Sequence, residues 1–514
     1  MPALCLCYEV HEPYRLRRYT VFDMGQNSIY EDDDKNCDIL LYTARACYLP
    51  MNDLLLKLIR RYGKDFKVCF SISGTALDQF EQYAPEVLES FQALAETGSV
   101  EFACETAPHS FSFLYSKPEF VRQVEDHAKR IKRLFGKKPV TYRNAELVYN
   151  NAMGVALGEL GYKAVMAEGA DHVLGWRSPN YLYSPIGAPK VKLFLRNIRL
   201  STDLGRRFSD QSWDQWPLTA EKYAGWIHSL AGDAEVINIF NDYHVFGLRN
   251  KRESGIFAFM EALPDRILAN KDFHFSTPAE AVKKLPSVGE LDVPDFMSWD
   301  YEGRDLTAWL GNDMQKDAIH TLYKMTERVH GLGAPDITRD FERLQSSDHF
   351  HYMSTKWFTA FAPDRPNPFP SPYDAYITYM NVLSDLEMRV SAAEAEKELV
   401  EDVEKMARKV VPARDEAKKA GGRTAKAAPE KEKAAPKKPA AKKTAATKAA
   451  PAKASAEKAS VKDTHAKETS AKKAPAKKAP AKKAAPKKAP PRAAGAAKGA
   501  KKSAPAKKSG ESKA

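Results

Sequence analysis

The chain has 514 residues, 10% of them aromatic, enough to bury one barrel-sized core with an appended domain. Its formal charge of +12 is segregated: from Val411 onward about 31 Lys and Arg stand against about 8 Asp and Glu, roughly +23, which leaves the preceding residues an acidic body near −11. No run reaches membrane-spanning length, and the six cysteines (Cys5, Cys7, Cys37, Cys47, Cys69, Cys104) lack paired metal-ligand spacing, which argues against an integral membrane protein and against a cysteine-rich metal module.

Read in chain order, short β-rich segments alternate with longer helical patterns. Strands are expected at Leu4–His11, Lys67–Gly74, Val100–Glu105, Val140–Glu146, Ala164–Gly169, Lys192–Asn197 and Val236–Asp242. Between them helical periodicity appears over Asn52–Tyr62, Ala76–Thr97, Pro118–Phe135, Ala152–Leu160 and Ala220–Ala231. This order predicts a parallel sheet with right-handed crossovers, and seven units suit a closed barrel better than a doubly wound sheet. Ser276-Thr-Pro-Ala-Glu280 then reads as a helix start. A long helical pattern is expected from Trp309 through Val329, with further helices at Asp336–Leu344 and, after the Pro-rich loop Ala362–Pro372, at Tyr373–Arg408. The expected organisation is α/β: a barrel over residues 1–275, a helical domain over 276–410 and a basic tail over 411–514.

The tail is low-complexity Ala, Lys and Pro with almost no large apolar side chain, so burial cannot offset ordering entropy and disorder is expected. Dense Lys without aromatics suits phosphate contacts without base readout, hence non-specific nucleic-acid or polyanion binding. A solvated tail, or one folding back on the acidic body, is the competing reading. The composition resembles linker-histone tails. The N-terminus shows no basic segment followed by a sustained apolar stretch, and with dispersed, reduced thiols this points to the cytoplasm.

Chemistry is sought at the C-terminal ends of the strands, where a parallel barrel collects its reactive side chains. Those ends carry His11, Ser73, Glu101 with Glu105, Glu146, Glu168, Arg196 with Asn197, and Asp242. Two apolar runs, Pro139-Val-Thr-Tyr-Arg-Asn-Ala-Glu146 and Val236-Ile-Asn-Ile-Phe-Asn-Asp242, each close on an acid. A pair of carboxylates is the minimum equipment for cleaving a glycosidic bond. Glu168 is read as an ion-paired structural acid. Trp299, Trp309, Trp357 and Phe358 are read first as core, with a sugar platform as the alternative. His172, His349 and His351 form no ligand triad of suitable spacing, so no catalytic metal and no cofactor is expected.

His11-Glu-Pro13, Gly98-Ser-Val-Glu101, Tyr142-Arg-Asn-Ala-Glu146, Asn241-Asp-Tyr-His-Val-Phe-Gly247 and Glu302-Gly-Arg-Asp-Leu-Thr-Ala-Trp309 resemble, in order, the five motif regions of glycoside hydrolase family 57. Phe70–Phe80, Glu168–Trp176 and Ser347-Asp-His-Phe350 are similar to stretches of its α-amylase group. The resemblance implies a distorted seven-stranded (β/α) barrel followed by a helical bundle, and retaining action on α-1,4-glucans such as starch, glycogen or maltooligosaccharides. It implies Glu146 as nucleophile and Asp242 as general acid/base. It further implies His11 and Glu101 lining the subsite of the glycosyl-enzyme, and Trp299, Asp305 and Trp309 shaping the cleft from the helical side. Two departures stand out: Glu12 replaces the amide of a His-Gln-Pro motif, and His244, Leu248 and Arg249 replace a more acidic stretch, a change that would lower the pKa of Asp242. A 4-α-glucanotransferase or branching enzyme of the same family is the alternative within the class. A weakly active glucan-binding protein tethered to nucleic acid by its tail is the alternative outside it.

Overall fold

The computed structural model describes residues 1–300, 302–356 and 367–420, with side chains to residue 407. Seven strands form the main path of the central sheet, with a two-residue strand, His274–Phe275, pairing in parallel with the start of the first: β1 (Ala3–Val10), β2 (Val68–Ile72), β3 (Val100–Ala103), β4 (Thr141–Arg143), β5 (Ala164–Glu168), β6 (Lys192–Arg196) and β7 (Val236–Asp242). They lie where the sequence places them, in the order β3-β2-β1-β7-β6-β5-β4, and every pairing is parallel. The two ends of this path meet at a parallel bridge between Cys104 and Tyr142, where Cys104 N donates to Thr141 O (2.9 Å) and Arg143 N donates to Cys104 O (2.8 Å). A sheet whose ends meet encloses an interior, which parallel strands fill with side chains.

The two faces of the strands follow from their alternation. Leu4, Leu6, Tyr8 and Val10 of β1 pack outward with Phe70, Ile72, Ile237 and Ile239 against the surrounding helices. Ala3, Cys5 and Cys7 turn inward with Cys69, Ala103, Met166, Phe194 and Phe240. Since side chains repeat every second residue, the inward phase carries on to Glu9, Glu105, Glu168, Arg196 and Asp242 at the C-terminal rim. The opposite mouth is plugged by the helix Pro278–Lys284, whose Ala281 joins the interior cluster. Lys192, the first residue of β6, donates through Nζ to Val282 O (2.9 Å), and Lys67 just before β2 pairs with Glu280.

Several helices differ from expectation. Ala76–Thr97 is two helices, Gly74–Tyr83 and Pro85–Glu96, because Pro85 has no N–H to donate and excludes helical geometry at Ala84. The pattern through Val329 is likewise divided into Thr307–Leu310, Asp313–Lys324 and Thr326–Leu332. The last helix, Pro372–Ala420, runs past the expected start of the tail at Val411, in keeping with the Ala, Glu, Lys and Arg that fill this stretch. The remainder of the tail, with Trp357 and Phe358, lies outside the described residues.

The apolar cluster of the helical region also takes in side chains from the barrel's loops. Trp309, Ile319, Leu322, Phe341, Phe350, Tyr379 and Leu386 form one apolar cluster with Leu16, Tyr19, Tyr30, Phe111 and Val148 from the barrel's loops. Residues Met1–Thr424 accordingly form one compact unit. The stretch after residue 275 still belongs to the barrel, since it supplies the plug helix and Met297 bridges Tyr149. Among the described residues no helix is long and apolar enough to cross a membrane, and all six cysteines are free thiols.

Candidate active site

The chain leaves β4 through a tight turn, Ala145–Leu147, in which Glu146 and Leu147 take φ of +56° and +52°. Left-handed backbone costs a non-glycine residue on the order of 1–3 kcal/mol, and such strain is held where the surroundings over-determine it. Among the described residues the non-glycines with positive φ are His109, Glu146, Leu147 and Arg304. All four gather about one carboxylate. His109 Nε2 lies 3.6 Å from Glu146 Oε1, and Arg304 donates to the carbonyl of Trp299, whose indole reaches Glu146.

The Glu146 carboxylate is fully buried and held by two donors. Trp299 Nε1 donates to Oε2 at 2.7 Å, and Ser347 Oγ donates to Oε1 at 2.9 Å. Both donors come from beyond the barrel strands. Ser347 is set by its own N–H, which donates to His109 O (3.0 Å), and Trp299 by its N–H donating to Glu146 O (3.1 Å). The helical region therefore closes over the barrel rim at this residue.

Beneath it lies a buried charge cluster. Arg143 Nη2 is 2.9 Å from Glu9 Oε1 and Nη1 is 3.1 Å from Glu105 Oε2. His109 stands among three acids, with Nδ1 3.0 Å from Glu105 and Nε2 3.4 Å from Glu9. Burial works against the charge on Glu105, but His109 first and Arg143 next hold its pKa down at about 2. Burial would likewise lower His109, and the Glu105 charge outweighs it, raising the imidazole to about 9. Glu9 and Glu105 reach this depth because each faces inward at the C-terminal end of its strand. His127, kept neutral by burial, accepts Glu105 N at Nδ1 (3.2 Å) and donates from Nε2 to Ile72 O (2.8 Å).

Asp242 ends β7 directly beside Glu9, its partner in the β1 register. Neighbouring strands run about 4.8 Å apart, so Glu9 stands between Asp242 and the His109–Glu146 contact. Asp242 Oδ1 accepts His244 N at 2.9 Å. Two cationic side chains approach it, His244 Nδ1 at 3.5 Å from Oδ1 and Arg249 Nη2 at 3.6 Å from Oδ2. Gly247 permits the turn that returns Arg249: its φ is +92°, and a Cβ there would lie 1.9 Å from Ala46 O. One strained, fully enclosed carboxylate and one half-buried carboxylate thus share a barrel rim.

The family model for glycosyl hydrolase family 57 matches residues 5–294. A protein of Methanocaldococcus jannaschii named "Putative alpha-amylase" is 39% identical over 407 residues, 76% of this chain and 85% of its own length. The chain belongs to glycosyl hydrolase family 57. Solved structures of the same fold include a GH57 branching enzyme from Thermococcus kodakaraensis (TM-score 0.57, 12% identity, 76% of this chain and 90% of that one). Another is a 4-alpha-glucanotransferase from Thermococcus litoralis (TM-score 0.53, 15% identity), of which this chain spans 60% while 75% of this chain is covered. A third is an alpha-amylase from Thermotoga maritima (TM-score 0.51, 15% identity, 76% and 94%).

Within this family 57 glycosidase the expected site residues fare unequally. Glu146, Trp299 and His11 come together with Ser347 and Asp348. Both ring nitrogens of His11 are taken by protein, Nδ1 by Ser73 Oγ at 2.8 Å and Nε2 by Asp348 Oδ2 at 2.7 Å, while the ring stacks on His109 at 3.9 Å. Glu101 does not belong to the rim. It faces inward at the start of β3, accepts Ala279 N (2.8 Å) and Thr141 Oγ1, and so anchors the plug helix at the opposite mouth. Glu105, four residues and roughly 13 Å further along at strand spacing, lies towards the rim, where it pairs with Arg143 at 3.1 Å. Trp309 is buried in the helical cluster against Phe111, and among the described residues its Nε1 has no hydrogen-bond partner. Asp305 stands just ahead of the next helix, its Oδ1 accepting Thr307 N (2.9 Å) and Oγ1 (2.6 Å). Glu168 is ion-paired with Arg196 at 3.1 Å.

Glu9, His109, Ser347 and Asp348 carry no role in the sequence reading. Glu9 had a usable signal, since it lies two residues before His11 on the same inward phase. Ser347 and Asp348 lay in the stretch Ser347–Phe350 that resembles the α-amylase group, without a role; His109 had no signal, because its loop owes its place to the pairing of Ser110 with Ser346 across 236 residues. Among the described residues no group of three His, Cys, Asp or Glu side chains could hold a metal ion.

Proposed function

We propose that this glycosidase cleaves α-1,4-glucans with retention of configuration, Glu146 acting as nucleophile and Asp242 as general acid/base. The observation that supports it best is the treatment of the Glu146 carboxylate: backbone strain, a Trp299 N–H and a Ser347 O–H aim both of its oxygens, and Arg143 and His109 present positive charge to it. A nucleophile has to meet the anomeric carbon in one orientation, and such preorganisation removes the cost of finding it. Asp242 is half-buried, open enough to meet a leaving oxygen and close enough to its strand end to be fixed by His244 N. A retaining pair works at about 5–5.5 Å: one carboxylate attacks while the other protonates the departing oxygen, then deprotonates the water.

The α-glucan class is drawn from the M. jannaschii relative and the solved structures, whose names include alpha-amylase, 4-alpha-glucanotransferase and branching enzyme. Hydrolysis and transfer differ only in whether water or a sugar hydroxyl resolves the intermediate. Product analysis on maltooligosaccharides and amylose decides between them. Shorter products only support the hydrolase, and products longer than the substrate assign a transferase. Full turnover by Glu146→Gln would remove Glu146 as nucleophile.

A further inference from the structure

Asp242 is the terminus of a continuous polar chain that the two-carboxylate scheme does not use. His244 bridges it: Nδ1 faces Asp242 Oδ1 at 3.5 Å, while Nε2 lies 2.7 Å from Tyr48 Oη and 3.2 Å from Glu12 Oε1. Tyr48 donates its one hydroxyl proton to Glu12 Oε1 (3.1 Å), so towards His244 its oxygen is an acceptor. With Glu12 Oε1 as well as Tyr48 Oη facing it, Nε2 is the nitrogen that the surroundings favour as the proton carrier. Nδ1 is left as the nitrogen that gains or loses a proton, and it is the nitrogen that faces Asp242.

We propose that His244 and Asp242 form a proton-sharing dyad, with Glu12 as the buried counter-ion and Tyr48 as the tautomer lock, in which the proton for the leaving group is stored on His244 Nδ1. The proposal rests on Asp242 being the general acid/base. In the first half-reaction the Glu146 oxygen bonds to the anomeric carbon as the glycosidic C–O bond breaks. His244 Nδ1 passes its proton to the ionised Asp242 Oδ1, Asp242 hands that proton on to the leaving oxygen, which takes the electron pair of the broken bond, and Asp242 is left again as a carboxylate beside a neutral His244. In the second half, water bonds to the carbon, Glu146 departs, and the water's proton returns through Asp242 to Nδ1, so no proton is gained or lost over the cycle.

The surroundings suit storage on the imidazole. Groups facing His244 are Glu12 from the end of β1, Tyr48 from the helical segment Ala44–Tyr48, Asp242 from β7, and Arg249 from the loop that follows. Burial and Arg249 oppose a charged ring, and the two carboxylates outweigh them, raising His244 above the ordinary histidine value. Glu12 is held below the ordinary carboxylate value against its burial, through His244 and Arg15. Arg249 at 3.6 Å from Asp242 further favours the ion-pair form of the dyad.

The test compares maltooligosaccharide with α-maltosyl fluoride, whose leaving group needs little protonation, in wild type, His244→Gln, Glu12→Gln and Asp242→Asn. For His244→Gln a loss of roughly 100-fold in kcat/KM on the oligosaccharide is expected, in line with general-acid contributions, with a loss at least tenfold smaller on the fluoride. Glu12→Gln should move the alkaline limb of the kcat/KM profile to lower pH, because His244 loses its counter-ion. Equal losses of His244→Gln on both substrates, or an unmoved alkaline limb in Glu12→Gln, would overturn the dyad. If instead Asp242→Asn keeps full turnover on the oligosaccharide, the acid/base reading itself fails.

Discussion

Deprotonating His109 should weaken the fold as pH rises above neutrality. The side chain is fully buried among Glu9, Glu105 and Glu146, so that with Arg143 two cations face three carboxylates. Its pKa rises from 6.5 to about 9, with Glu105 as the leading favourable cause against burial. At 1.36 kcal/mol per pKa unit this is about 3 kcal/mol of linked stability, and the low Glu105 value reports the same contact from the other side, so the two are not added. The raised value fixes the sign: the contribution is complete below pH 6.5 and disappears as pH climbs through 9. The comparison is His109→Asn, since Asn tolerates the left-handed φ of +60° at this position and cannot titrate. Unfolding in urea at intervals from pH 5 to pH 10 should show wild type ahead of the variant by a margin that is level to about pH 6 and shrinks by about 3 kcal/mol by pH 10. A margin that does not change over that range would refute the charge assignment of the whole cluster.

The two tryptophans should separate cleanly. Trp299→Phe removes a hydrogen bond to an ionised carboxylate, worth about 1.5–3 kcal/mol, and should lower kcat/KM on maltooligosaccharide by roughly 10- to 100-fold, whereas Trp309→Phe removes an N–H that has no partner among the described residues and should change it less than threefold; equal effects would contradict the placement of the indoles. Glu101→Gln should cost about 1 kcal/mol in a denaturant melt through the plug-helix contact and leave kcat/KM within twofold, while Glu105→Gln should reduce it at least tenfold; the reverse ranking would return Glu101 to the site. Dialysis against a chelator should leave turnover unchanged, and a loss restored by added metal ion would show a donor set that the described residues do not assemble.

Much of the architecture was legible because it is local. Seven β-rich runs of six to eight residues between helical patterns are a parallel barrel in outline, and every one of the seven strands stands where its run does. Glu146 and Asp242 were readable as the acids that end two of those runs. Pro85 breaks a helix by its own covalent chemistry, a signal present in the sequence and passed over in the longer periodicity. The choice of Glu101 over Glu105 shows the limit of strand-end reasoning. Both face inward, and which one ends at the rim depends on where β3 stops pairing.

By itself the sequence determined the barrel's strands, the acidic body with its basic tail, and the two carboxylates, since period-two alternation and composition act between near neighbours. Tertiary structure alone decided what surrounds those acids. Ser347, Asp348 and Trp299 arrive from chain positions 153 to 337 residues away from the groups they hold, and His244 meets Glu12 across 232 residues. Contacts of that span follow from the closure of the sheet and the packing of the helical cluster over its rim, and a carboxylate's role as nucleophile, acid or anchor is set by which of those contacts it receives.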